Sequence, residues 1–239
     1  MRLEPPFTVR CHMIGDNVKR LMDEIADGAM AAGRAPDDVT LVAVTKTRTV
    51  AEIEEALAAG ILHLGENRVQ EAADKIPVIK SPTIWHLVGN LQSNKAVKAA
   101  ELFDRIDSVH SEKVAAILSE RAAALGKKLD VLVQVNISGE PSKSGVRPEE
   151  AKRLVMSVER LPGLFVRGLM TIGSFGVSPD ETRREFSRMR RLYHDLRSDS
   201  EIESKFDTLS MGMSGDFRIA IEEGSTMVRI GTAIFGERI

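Results

Sequence analysis

Apolar and polar positions along the chain alternate between two rhythms. Short runs of β-branched and aliphatic residues recur, and between them apolar residues fall three and four positions apart. The first rhythm belongs to a buried strand, the second to a helix with one apolar face. Val18, Leu21, Met22, Ile25 and Met30 predict a helix over 18–32, stopped by Gly33. Residues 39–45 predict a strand that ends abruptly at the polar Thr45, Lys46 and Thr47. Thr49 and Glu52 form a capping box for the next helix, which Gly60 closes. Further strands are predicted over 61–64, 83–88, 103–109, 130–136, 164–172, 206–211 and 227–230. Helices are predicted over 67–76, 91–102, 111–125, 148–160, 180–197 and 214–222, with an apolar tail over 232–235.

Strand followed by helix, eight times over, implies a parallel sheet. Eight such units match a (β/α)8 barrel, whose usual size is about 250 residues. An open doubly wound sheet is the competing α/β arrangement. It typically uses fewer strands and a glycine-rich first turn, whereas the first turn here is Lys46-Thr-Arg-Thr-Val50. No long Pro/Gly-rich break divides the chain. The predicted fold is therefore one α/β domain over residues 1–239, a single TIM barrel preceded by an extra N-terminal helix.

Composition narrows the function. At 43% hydrophobic and 28% charged residues, the chain can bury a full core, and its net charge of -2 offers no general attraction for nucleic acid. The local basic cluster Arg183-Arg184 and Arg188 to Arg191 alternates with Phe186, Met189, Leu192, Tyr193 and Leu196. It reads as the wet face of an amphipathic helix, with an RNA-binding patch as the alternative. Cys11 is the sole cysteine, so an intrachain disulfide and a CxxC site are excluded. No apolar run reaches membrane-spanning length, and residues 1–7 lack a signal-peptide core. These features lead us to expect a protein of the reducing cytoplasm, without membrane or nucleic-acid partners.

In a barrel the chemistry sits at the C-terminal ends of the strands. Those ends carry Lys46, Glu66 and Asn67, His86, Asn136, Thr171, Ser210 to Ser214, and Arg229 to Thr232. Lys46 at the tip of an interior strand becomes a nucleophile toward carbonyls if the surrounding walls desolvate it; otherwise it is a solvated lysine reaching into a loop. The glycine-punctuated turn Ser210-Met-Gly-Met-Ser-Gly-Asp216, with Ser214 at a helix start, and the pair Gly231-Thr232 after strand eight suit a phosphate. The alternative is a pair of ordinary turns with a serine cap. A lysine facing a phosphate cradle suits pyridoxal phosphate. Arg229 can then bond the pyridine nitrogen, or else pair with Glu222 or Glu223. His86 either lines the pocket or makes a structural hydrogen bond, and Lys143 is a second lysine near the mouth. The five histidines lack metal-binding spacing, so no metal site is expected.

These residues carry a resemblance. Leu41-Val-Ala-Val-Thr-Lys46, Gly65-Glu-Asn67 with Val69-Gln-Glu71, Trp85-His-Leu-Val-Gly89 with Leu91-Gln-Ser-Asn-Lys95, and Ser142-Lys-Ser-Gly145 stand in order. Arg167-Gly-Leu-Met170, Leu209-Ser-Met-Gly-Met-Ser214 and Val228-Arg-Ile-Gly-Thr-Ala-Ile-Phe-Gly236 follow. From about residue 40 to the end, the chain resembles the pyridoxal phosphate homeostasis protein family. That family is in turn similar to the N-terminal barrel of alanine racemase, without its second domain. The resemblance implies that Lys46 carries the cofactor as an imine and that Arg229 faces the ring nitrogen. It implies that Ser214, Gly231 and Thr232 bind the phosphate with Ser210 nearby, while Asn67 and His86 line the pocket. The implied role is buffering or delivery of pyridoxal phosphate in vitamin B6 homeostasis. The implied protein is a monomer without catalytic turnover, with cofactor-requiring apo-enzymes as partners. A pyridoxal phosphate-dependent amino-acid racemase is the alternative. Racemisation needs a base on each face of the substrate carbon, and the one tyrosine, Tyr193, falls in the stripe of an outer helix.

Overall fold

The computed structural model describes residues 8–237, with side chains from residue 14 onward. Residues 1–7 and the side chains of Cys11 and His12 lie outside that described set. Eight strands close into a parallel barrel in sequence order: β1 (Thr40–Val44), β2 (His63–Glu66), β3 (Ile84–Leu87), β4 (Arg105–Val109), β5 (Leu129–Val135), β6 (Leu164–Thr171), β7 (Thr208–Ser210) and β8 (Met227–Ile230). The outer layer comprises α1 (Thr8–Ala31), α2 (Val50–Ala58), α3 (Val69–Lys75), α4 (Ala96–Leu102), α5 (Glu112–Ala124), α6 (Ala151–Glu159), α7 (Pro179–Arg197), α8 (Phe217–Glu222) and α9 (Thr232–Phe235). This is the (β/α)8 barrel with its preceding helix, and the open-sheet alternative is excluded by the β1–β8 pairing.

Local signals set most of the boundaries. Thr49 accepts from the Glu52 amide while the Glu52 carboxylate takes the Thr49 amide, completing the box that starts α2. Ser178 and Glu181 repeat the device at α7. Three expectations need correction. The stripe of α1 that packs on the barrel is Ile14, Val18, Leu21, Ile25 and Ala29, whereas Met22 and Met30 are exposed. β2 runs to Glu66, because Gly65 and Glu66 continue the ladder with His86 and Leu87. α8 begins only at Phe217, so Ser214 is not at a helix start.

The core divides into two by strand parity. Leu41, Ala43, Leu64, Leu87, Val228 and Ile230 pack outward against the helices in the main cluster. Val42, Val88 and Met227 form a separate small cluster inside the barrel, with Val44 against it. The remaining lumen is unusually polar for such a fold, with His86, Asp107, Ser210 and Arg229 all buried there. Gly65 admits this packing: a Cβ there would stand 3.0 Å from the Val42 side chain.

Candidate functional site

The register of β1 against β8 brings the two ends of the chain's chemistry together. Val42 lies opposite Arg229 and Ala43 opposite Ile230, so Lys46 and the Gly231-Thr232 turn emerge side by side at the C-terminal rim. A cleft of about 380 Å³ opens there, lined by Lys46, Ser214, Arg229, Gly231 and Thr232 among others. That volume lies within the range of about 300–1,000 Å³ usual for small-molecule sites. A larger hollow of about 480 Å³ lies behind the Ser214–Asp216 turn against α1. It includes neither Lys46 nor Arg229, and its Arg218 is exposed and paired with Glu24, so the smaller cleft is the candidate site.

Lys46 is half-buried. The backbone beside it is held from outside the barrel. Thr45 gives its hydroxyl to Glu66 Oε1 at 2.6 Å and its carbonyl accepts from Lys75 Nζ at 2.8 Å. Lys75 also meets Glu66 at 2.7 Å and Glu71 at 2.6 Å, and Glu71 takes the Thr47 amide. Burial pushes the Glu66 carboxyl up, opposed by its bonds from Lys75 and Thr45.

Arg229 crosses the floor of the cleft. Its guanidinium donates to Ser210 Oγ at 2.5 Å and to the Thr171 carbonyl at 2.7 Å, and it touches neither Glu222 nor Glu223. Those two glutamates pair instead with Arg183, and Glu223 also with Arg190, which ties part of the α7 basic cluster into the structure. Burial lowers Arg229 to about 10, with Asp107 and Asp216 acting the other way, so it stays a cation at neutral pH.

The turn after β7 is shaped by Gly212. Its φ of 99° and a would-be Cβ contact of 2.6 Å with Ala220 leave room only for glycine. Beyond it Ser214 faces the cleft, its hydroxyl 3.4 Å from the Ala233 amide in α9. Gly231 lies against the Val44 carbonyl, 3.2 Å from a would-be Cβ.

Five of the eight residues singled out from the sequence thus share one cleft. Ser210 lies beneath it and holds Arg229. Asn67 and His86 are not among its lining residues. His86 is fully buried, with Nδ1 2.9 Å from Asp107 and Nε2 2.9 Å from His63, which is the structural alternative. Lys143 binds Glu140 and the Gly173 carbonyl, tying the loop after β5 to the loop after β6. Sequence reasoning missed Thr182 and the loop 174–177 as cleft walls. The loop's place after β6 was the available signal. Among the described residues, no group of three or more His, Cys, Asp or Glu side chains is placed to hold a metal ion.

Comparison with known proteins places the fold and the family. Residues 26–239 match the family described as alanine racemase, N-terminal domain. The chain is 44% identical over 226 residues to the pyridoxal phosphate homeostasis protein of Pseudomonas aeruginosa, covering 94% of this chain and 96% of that one. A solved structure of an unknown protein from Bifidobacterium adolescentis superposes with a TM-score of 0.89 at 40% identity, covering 98% of both chains. PipY of Synechococcus elongatus, solved with pyridoxal phosphate bound, gives a TM-score of 0.78 at 38% identity, covering 89% of this chain and all of that one. The chain belongs to the pyridoxal phosphate homeostasis protein family, built on the alanine racemase N-terminal barrel.

Proposed function

We propose that this protein binds pyridoxal phosphate in the rim cleft through Lys46 and holds it in a releasable form for cofactor homeostasis, without substantial turnover of its own. The observation that carries the reading is the convergence of one lysine, one buried arginine and a hydroxyl-rich pair of turns on a single cleft. The donor set fits the group: a cation for the ring nitrogen, hydroxyls and small-residue turns for a phosphate, an amine for an aldehyde. When bound, pyridoxal phosphate supplies an aldehyde carbon that condenses with a neutral amine, forming a carbon–nitrogen double bond and releasing water.

Each residue then has a task. Lys46, half-buried at the rim of the cleft, offers its amine to the aldehyde. Arg229 donates toward the ring nitrogen and, as a fixed cation, opposes its protonation. Ser214 and Thr232 offer hydroxyls to the phosphate, and Gly231 lets backbone approach it. Ser210 orients Arg229 from below. We assign Asn67 and His86 no direct contact with the ligand.

Racemisation would need a second base. Tyr193 is buried, its hydroxyl donates to the Phe206 carbonyl at 3.2 Å, and its ring stacks on Phe206, which supports a carrier over a racemase. The reading treats residues 1–239 as a single monomeric domain of the cytoplasm, with apo-enzymes that require the cofactor as recipients. Among the described residues, no helix is long and apolar enough to cross a membrane.

Transfer tests the role. Loaded protein mixed with an apo-enzyme should restore its activity faster than the same cofactor released from denatured protein, and L-alanine should not racemise at enzyme-like rates. Equal transfer rates would remove delivery, and racemisation lost in Lys46→Ala would establish the enzyme.

A further inference from the structure

Outside the barrel wall, between β1, β2 and α3, lies a cluster of charged residues that the cleft does not contain. Lys75 and Glu66 are both buried. A buried ion pair is weak support for stability, because desolvation offsets its attraction, so this one calls for another explanation. Its bonds converge on two residues, Thr45 and Thr47, that flank Lys46. The Thr45 hydroxyl goes to Glu66, the Thr45 carbonyl to Lys75, and the Thr47 amide to Glu71. Lys46 stands between these anchors. Among the described residues, Thr47 is the one non-glycine residue with positive φ, at 63°. A β-branched residue persists there only where its surroundings over-determine the backbone.

We propose that Lys75, Glu66 and Glu71 are positioning residues that hold the 45–47 backbone in this strained form and so aim the Lys46 amine into the cleft. Strand parity makes the device work from behind. Thr45 points outward with Leu41 and Ala43, so Lys46, the next residue, is directed to the rim cleft on the other side. Lys75 spans both neighbours of Lys46 through Glu71 and the Thr45 carbonyl. Without it, the Thr47 turn is free to relax and the amine swings out of register with a carbonyl carbon held by the phosphate and ring contacts.

The proposal rests on Lys46 being the attachment point, and two probes separate the two claims. Pyridoxal phosphate reports covalent attachment through its near-visible band. Pyridoxine 5′-phosphate, an alcohol in place of the aldehyde, reports the phosphate and ring contacts alone. In Lys75→Met, attachment should weaken about tenfold or more. Pyridoxine 5′-phosphate should bind within about twofold of wild type, because its contacts do not pass through Lys46. Glu71→Gln, on the half-buried edge of the cluster, should shift attachment the same way by about threefold and decides the matter if Lys75→Met does not fold. A folded variant that attaches pyridoxal phosphate as wild type does would overturn the proposal. So would parallel loss of both ligands, which marks a collapsed cleft. A wild type unlabelled at Lys46 removes the attachment point itself, a result distinct from a silent variant beside a labelled wild type.

Discussion

Arg229 is a single residue on which several buried polar groups depend. Its fork spans Ser210 on β7 and the Thr171 carbonyl on β6, and its charge faces the fully buried Asp107. Arg229→Met keeps the bulk but removes the donor to Ser210 and to the Thr171 carbonyl, and one of the cations near Asp107. It should cost about 1–3 kcal/mol of stability, the penalty for stranding buried polar groups. A urea midpoint within experimental error of wild type would show that Ser210 and the Thr171 carbonyl find other partners. The residue was legible in the sequence as a strand-end arginine before a glycine turn, but its partners were not. They come from β6 and β7, whose register no local pattern reveals. Ser214 is the opposite case: expected at a helix start, it lines the cleft three residues before its helix, with its hydroxyl facing α9.

Between elements, the polar lumen links β2, β3 and β4 through His63, His86 and Asp107. Burial would push the Asp107 carboxyl up, but His86, then Arg105 and Arg229, outweigh it and hold it below the usual range. Burial, then the positive fields of His86 and Arg105, lowers His63 to about 4. An unfolded chain therefore takes up the His63 proton near pH 6.5 while the folded one resists until about pH 4. Stability is complete above the higher value and falls as pH drops through that window. Its partial exposure to solvent limits the loss to about 1–2 kcal/mol. His63→Gln should flatten the fall in urea midpoint between pH 7 and pH 5. An unchanged slope would assign the acid sensitivity to the carboxylates. Such lumen contacts escape sequence reading because the period-two pattern marks a residue as facing inward without saying what it meets there. The capping boxes of α2 and α7, by contrast, are local and complete within four residues, which is why the Thr49–Glu52 start was readable.

For the whole molecule, the eightfold alternation of strand and helix is enough to specify a barrel, and barrel geometry then specifies the rim on which to look for chemistry. The closing β1–β8 pair does the rest, setting Lys46 beside Gly231 and Thr232 from opposite ends of the chain. Asn67 and His86 mark the limit of that logic, since being near a strand end does not place a side chain in the cleft. On the proposed reading, Lys46 is the residue that attaches the cofactor. Borohydride reduction of the protein loaded with pyridoxal phosphate, followed by peptide mass mapping, tests it most directly. The expected result is loss of the near-visible band with the pyridoxyl mass fixed on the peptide containing Lys46, and no such label in Lys46→Ala. Label on Lys143, Lys75 or no single lysine would contradict it, and would leave the cleft as an anion site alone.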